Sequence, residues 1–344
     1  MPPEIITIYP TDQAGLALVD GLLAAEGIKR DPHLDYTCAV MQNDSILASG
    51  SLFKNTLRCV AVSSAHQGEG LMNLLVSHLI ATAQSRGYTH LFVYTKVKAA
   101  KHFADLGFHE IARVADQLVF LENRRDGFAQ YCQALTASPK RPAAAIIMNA
   151  NPFSNGHRYL LAQAAKANAV VHLFMVSDAA SFIPYAVRKQ LILAGIADLP
   201  NVIPHDTGDY LISSATFPSY FLKAPAVVIR TQAQLDTALF IQIAHTLGIS
   251  RRYVGTEPTS TVTSMYNDVL KQTLPQHGIA LSVVPRLTQA GQPISASAIR
   301  QALHDGQLEK IRPWVPETTY AFFNSAPGQA VIAKLQAAAA VKHY

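Results

Sequence analysis

Charge is scarce in this chain of 344 residues: Asp, Glu, Lys and Arg make up 15% of it, while 49% is hydrophobic. A composition so poor in charge and rich in apolar side chains excludes a disordered or fibrous protein. Cysteine is almost missing. Cys38, Cys59 and Cys132 are an odd number without metal-ligand or redox spacing, which speaks against a disulfide framework and a Cys-based zinc site and suits buried thiols in a reducing cytoplasm. No apolar run approaches the roughly 18 residues that cross a bilayer, so no membrane span is expected. The segment Met1 to Pro10 carries Glu4 and no apolar stretch before a small-residue cleavage site, so a secretory signal peptide is not expected either.

What is present divides unevenly. At about 150 residues per domain the length suggests two compact domains. The formal charge of +5 is not shared between them: Met1 to Lys140 holds 12 basic and 13 acidic residues, and the remainder 16 and 10. An excess confined to the C-terminal part suits an anionic partner there.

Thr136 to Arg141 is polar, contains Pro139 and precedes Pro142, and so reads as a linker between a domain at 1–138 and another at 143–344. Before it, strand-like runs at Tyr36–Val40, Ser45–Phe53, Leu57–Val62, His90–Thr95, Phe108–Val114 and Gln117–Leu121 accompany helical patterns at Gly70–Ser85 and Ala99–Leu106. This predicts an α+β domain with a largely antiparallel meander. Beyond the linker, short apolar runs at Ala143–Met148, Val170–Val176, Ala226–Ile229, Arg252–Gly255 and Ile279–Val284 alternate with helical stretches. That alternation predicts an α/β, doubly wound parallel sheet with ligands at the carboxyl ends of its strands.

Two elements of the second domain suit phosphate. The first predicted strand runs into Asn149-Ala150-Asn151-Pro152-Phe153-Ser154-Asn155-Gly156-His157-Arg158, followed by an amphipathic helix. Gly156 before that helix lets backbone N–H groups approach an anion, the helix N-terminus favours negative charge, and His157 can donate to a phosphoryl oxygen. Near the other end, Gln292-Pro293-Ile294-Ser295-Ala296-Ser297-Ala298-Ile299-Arg300 precedes a second helix. Ser295 or Ser297 can cap it, and Ser297 and Arg300, three apart, share a helical face, so hydroxyl, free N–H groups and guanidinium are expected to converge on one anion.

In this order the pair resembles the nucleotidyltransferase superfamily, with its loops (H/T)-x-G-H and I-S-x-(S/T)-x-x-(R/K); Ser154 stands where His or Thr is usual. The resemblance implies ATP binding, attack at the α-phosphate and charge stabilisation by His157, backbone donors, Arg300 and a magnesium ion, with no metal ligands assigned on the protein. Four further stretches, Ser181–Tyr185 with Arg188, Gly208–Lys223, Val254–Pro258 and Tyr266-Asn267, are similar to those of the citrate (pro-3S)-lyase ligases, a family that also carries NPF-x-x-GH and an acetyltransferase-like domain in front. That resemblance implies an AMP-forming ligase that makes acetyl-adenylate and acetylates the prosthetic-arm thiol of the citrate lyase acyl carrier subunit, switching the lyase on. It also implies that Asn151, Pro152, Phe153, Ser154, Gly156, Ser295 and Arg188 bind the nucleotide, and Arg188 and Lys189 are expected to reach the triphosphate. Thr216, Tyr220 and Lys223 are candidates for the acetate or carrier pocket, whereas Phe217 and Phe221 read as core. Glu257 is read as orienting a ribose or metal, or as capping the next helix.

In the first domain, Ala65-His66-Gln67-Gly68-Glu69-Gly70-Leu71 and Lys101–Phe108 look like the diphosphate loop and second half of a GNAT acyltransferase. Ala65 replaces the Gln or Arg of that loop, which counts against acetyl-CoA catalysis. Gln67, Gly68 and Gly70 are instead expected to hold the carrier's CoA-like arm. Two other functions remain open: a small-molecule adenylyltransferase, and a GNAT protein acetyltransferase with a nucleotide-binding regulatory domain. A triphosphate and a phosphorylated arm account for the basic excess, so no nucleic-acid partner is expected.

Overall fold

A computed structural model of the chain describes residues 2–135, 142–177, 181–211, 216–222, 224–257 and 261–338. The expected linker Thr136 to Arg141, Lys223 and Pro258 lie outside these residues. The chain divides into two units, Met1–Gln130 with Pro218–Ala238, and Tyr131–Phe217 with Leu239–Tyr344.

The first unit is built on β1 (Glu4–Thr7), β2 (Tyr36–Gln42), β3 (Ser45–Phe53), β4 (Thr56–Val62), β5 (Phe92–Thr95), β6 (His109–Val114) and β7 (Leu118–Glu122). They form one sheet in the order β1-β2-β3-β4-β5-β7-β6. Asn43 and Asp44 between β2 and β3 both have positive φ, 48° and 63°, as a two-residue hairpin whose twist matches its strands requires. The period of two decides the packing: Cys38 and Val40 enter one core with Leu75 and Leu79, while Ala39 between them enters another with Val19 and Leu23. The helices on these two faces are α1 (Gln13–Ala25) and α2 (Leu71–Ser85), with α3 (Val97–Ala104) and α4 (Gly127–Ala134) following. All pairs are antiparallel except β4 with β5, which share only Thr56↔Phe92 and Leu57↔Val93 before they part.

The second unit holds β8 (Ala143–Met148), β9 (Val170–Met175), β10 (Val202–Asp206), β11 (Ile249–Gly255) and β12 (Ala280–Val284), ordered β10-β9-β8-β11-β12 and parallel throughout. After β8 the chain winds outward to β9 and β10, then returns to the other side of β8 with β11 and β12. The strand order therefore reverses between β8 and β11, the position beyond whose strand carboxyl ends doubly wound sheets bind their ligands. Helices α5 (Asn155–Ala167), α6 (Tyr185–Gly195), α7 (Pro225–Leu247) and α8 (Thr261–Thr273) connect or follow these strands, and a short hairpin of β13 (Thr288–Gln289) and β14 (Gln292–Pro293) leads to α9 (Ala296–His304). Ala144, Ile146 and Met148 of β8 pack with Leu161 and Ala164 of α5 and Leu191 and Ile192 of α6, so both helix starts are fixed relative to the end of β8.

Two expectations are corrected. Ala226–Ile229 is not a strand but part of the 23-residue α7, where its β-branched residues are accommodated in a much longer helix. A strand at Val202–Asp206 was not expected; it is an edge strand containing Pro204, a position where the missing N–H is tolerated. Among the described residues, no helix is long and apolar enough to cross a membrane.

Candidate active site

The chain leaves β8 into Asn149–Ser154 and enters α5 at Asn155. Ala150 takes a positive φ of 48°, and the Asn151–Pro152 peptide is cis. Ser154, 1% exposed, is the N-cap: its Oγ accepts the His157 N–H at 3.3 Å. In return His157 Nδ1 accepts the Ser154 N–H at 3.1 Å, with the Ser154 Oγ 2.8 Å away. A ring nitrogen that accepts a backbone N–H carries no proton, so the neutral imidazole must bear its proton on Nε2. Burial, helped by the charge of Arg286, pushes the His157 pKa down to about 4. His157 is thus a neutral donor at physiological pH, stacked 5.9 Å from the ring of the fully buried Phe153. The Ser at position 154 supplies the hydroxyl that the cap needs.

The second predicted element meets the first. Ser295 is the N-cap of α9 and accepts the Ala298 N–H at 3.1 Å. Ile294 donates to the Leu287 carbonyl at 3.0 Å, and its own carbonyl lies 3.5 Å from where a Cβ on Gly156 would stand. Arg300 joins the two elements directly, donating to the Asn151 carbonyl at 2.6 Å and to Ser297 Oγ at 3.2 Å.

Both arginines expected to face phosphate are engaged with the chain itself. Arg300 is 4% exposed, and burial lowers its pKa. Its guanidinium serves a carbonyl and a hydroxyl. Arg188 is fully buried and donates to the carbonyls of Ile183 (3.1 Å), Asn149 (2.6 Å) and Val176 (3.0 Å), and to Asn149 Oδ1 (2.6 Å). Buried backbone carbonyls need donors, and the two arginines supply them at both ends of the Asn149–Asn151 loop. Asn151 is itself an acceptor, from the Ile183 N–H at 3.3 Å. Lys189 pairs at 2.7 Å with Asp206, the last residue of β10, and Arg158 turns to the Gly195 carbonyl and Asp198.

One pair at the site was not singled out from the sequence. Glu257, its side chain 5% exposed, stands two residues beyond the end of β11 and is bonded by Nη2 of Arg286, which follows β12. The Arg286 Nε also donates to the Thr256 carbonyl at 2.9 Å, and its N–H to Thr256 Oγ1 at 3.1 Å. The signal was available: Pro285-Arg286 directly follows an apolar strand, and ligands gather at strand carboxyl ends in such sheets. Glu257 therefore holds an arginine at the strand ends.

In the first unit, Gly68 and Gly70 have φ of 88° and 78°, and Gly70 is the N-cap of α2 without any side-chain cap. Only glycine adopts that conformation without strain, and the first N–H groups of α2 are left for an external partner. Gln67 stands next to them in extended conformation. The wedge between β4 and β5 is occupied by the chain itself: the Tyr220 carbonyl accepts the Lys29 N–H at 2.8 Å, and the Tyr220 hydroxyl donates to the Tyr94 carbonyl at 3.3 Å. With Phe221 alongside, the remaining cavity is about 60 Å³, against the few hundred Å³ of a ligand pocket, roughly 300 or more. Phe217 and Phe221 are buried.

Among the described residues, no group of three or more His, Cys, Asp and Glu could hold a metal ion. Comparison with known proteins covers both units. The model of the citrate lyase ligase C-terminal domain matches residues 143–323, and that of the GNAT acetyltransferase family matches 11–108. The citrate (pro-3S)-lyase ligase of Escherichia coli (strain K12) is 36% identical over 312 residues, covering 88% of this chain and 89% of that protein. Proteins of the same name from Klebsiella pneumoniae (35% identical; 88% and 91% covered) and Haemophilus influenzae (34% identical; 90% and 95% covered) are similar along nearly their whole length.

Proposed function

Because the chain belongs to the citrate lyase ligase family, we propose that it activates acetate with ATP and acetylates the thiol of the phosphorylated prosthetic arm on the acyl carrier subunit of citrate lyase. In the first step an acetate oxygen attacks the α-phosphorus, the bond to the bridging oxygen of the β-phosphate breaks, and pyrophosphate leaves. A carboxylate is ionised at neutral pH, so this step needs no general base. In the second step the arm's thiolate attacks the acetyl carbon and AMP departs with the bonding electrons.

The observation that carries this reading is the junction of two phosphate-type helix starts. Residues about 140 positions apart, Asn151 to His157 and Ile294 to Arg300, are held together by the bond from Arg300 to the Asn151 carbonyl. Two helix N-termini are thereby brought close together beside a neutral His157 donor, an arrangement suited to stabilising charge on phosphoryl oxygens. Asn151, Pro152 and Phe153 shape the loop, and the N–H groups of Asn155 and Gly156, which begin α5, supply donors. Among the described residues the protein groups form no metal cage, and magnesium is assigned to the polyphosphate, which no step above requires. The carrier's arm is assigned to Gln67, Gly68 and Gly70 at the start of α2; the filled wedge keeps it at the surface of that unit.

The test is incubation of the purified chain with ATP, labelled acetate and deacetylated carrier. The expected products are AMP, pyrophosphate and label on the carrier that hydroxylamine removes. Pyrophosphate release without acetate points to a small-molecule adenylyltransferase, and labelling from acetyl-CoA without ATP points to an acetyltransferase; either refutes the proposal.

A further inference from the structure

Every other cation predicted to meet the polyphosphate is committed elsewhere. Arg188 and Arg300 serve buried carbonyls, Lys189 pairs with Asp206 and Arg158 with Asp198. His157, as a neutral ring, gives one hydrogen bond and no charge. A tetra-anionic substrate with a departing pyrophosphate calls for a full positive charge near its terminal phosphates, and the crevice holds one in a suitable place.

Arg286 follows β12 at the carboxyl end of the sheet. The next residue, Leu287, accepts the Ile294 N–H, so Arg286 stands at the base of the β13–β14 hairpin that delivers Ile294 to Gly156 and Ser295 to α9. Its side chain is 27% exposed, while that of its partner Glu257 is 5% exposed. Three contacts set its direction: main-chain N–H to Thr256 Oγ1, Nε to the Thr256 carbonyl and Nη2 to Glu257. Those bonds leave Nη1 without a partner among the described residues. A partly exposed guanidinium held in place by a buried carboxylate, with one edge unengaged, is pre-organised for a bidentate anion. Its proximity to the α5 start is also felt by His157, whose pKa it lowers.

We propose that Arg286 binds the β- and γ-phosphates of the nucleotide and the pyrophosphate they become, with Glu257 and Thr256 as its positioning residues. This rests on the reading that ATP is the co-substrate. Arg286 touches the leaving group, so its charge assists departure, and Glu257 acts only through Arg286.

The experiment is calorimetric titration of the full chain, without acetate, with ATP, with AMP and with inorganic pyrophosphate. For Arg286→Gln, ATP and pyrophosphate should bind about 10- to 100-fold more weakly, the range for losing a charge-assisted hydrogen bond, and AMP should bind as to wild type. Arg286→Lys should recover part of the ATP affinity, and Glu257→Gln should weaken ATP less than Arg286→Gln does while sparing AMP. A double variant, Glu257→Gln with Arg286→Gln, removes the carboxylate that the single change leaves unpaired and should show the same ATP-selective loss. Equal weakening of ATP and AMP in the double variant, or unchanged ATP binding in Arg286→Gln, overturns the assignment. Failure of the wild type to bind ATP at all refutes instead the underlying reading of the substrate.

Discussion

Gly156→Ala separates a functional glycine from a structural one. A Cβ built on Gly156 lies 3.5 Å from the Ile294 carbonyl oxygen and 3.5 Å from Ser154 Oγ, ordinary contact distances. The residue sits in the first turn of α5 and is not among those with positive φ. The fold therefore does not need glycine here. Replacing Gly by Ala within a helix stabilises by about 0.5–1 kcal/mol, which in a unit of this size raises Tm by no more than a few degrees, roughly 2–4 °C per kcal/mol. Catalysis should respond in the opposite sense. The added methyl group projects into the gap between α5 and Ile294, beside the N–H groups assigned to phosphate, and disturbing one charge-assisted hydrogen bond costs about 1.5–3 kcal/mol, or roughly 10- to 150-fold in kcat/KM for ATP. Thermal unfolding and acetate-dependent formation of AMP measure the two effects on one preparation. A variant that melts well below wild type, or that keeps wild-type kcat/KM, refutes the phosphate-cradle role.

Other perturbations test the supports of the site. Arg188→Met removes the donor from the carbonyls of Asn149, Val176 and Ile183, which at about 1–3 kcal/mol per buried acceptor left unpaired should lower Tm markedly; a Tm equal to wild type contradicts the bracing role. His157 and His205 both have folded pKa values near 4, each depressed chiefly by burial, against about 6.5 when unfolded. Between those limits the unfolded chain binds more protons, so stability is full above pH 6.5 and falls as pH drops toward 4; Tm should be lower at pH 5.0 than at pH 7.5, and an equal Tm would count against the neutral rings. Because His157 stays neutral, acetate activation should show no inflection near pH 6.5 arising from that residue, as a pH–rate profile of wild type compared with His157→Gln would reveal. Gly68→Glu places a side chain at φ 88° and a negative charge beside the start of α2, so KM for the carrier should rise while acetate-dependent AMP formation from added hydroxylamine is unchanged; an unaltered carrier KM removes the arm from that loop.

The period of two along β2 and β3, and the short apolar runs before Asn149 and Val254, are local signals, and they led to the right kind of sheet in each unit. Val202–Asp206 was not legible because Pro204 and its mixed exposure break the strand pattern at a sheet edge. Ala226–Ile229 misled because four apolar residues carry no period of their own. At the candidate site, the two helix starts, beside Gly156 and after Ser295, were legible from helix-start chemistry. The spacing of Arg300 from Ser297 placed its guanidinium near the crevice but not its bonds, which depend on where the loop at Ala150 turns the Asn151 carbonyl. Arg188 is the same case. The pairing of Arg286 with Glu257 joins two strand ends 29 residues apart, and only the parallel order of β11 and β12 brings them together.

The central claim, that the crevice beyond β8 and β11 makes an acyl-adenylate, is tested most directly by acetate-dependent exchange of labelled pyrophosphate into ATP, measured for wild type and for His157→Ala. The wild type should exchange label only when acetate is present, and His157→Ala, which loses one preorganised donor, should exchange about 100- to 1,000-fold more slowly while remaining folded. Absence of exchange in folded wild type, or exchange unaffected by His157→Ala, would contradict the account.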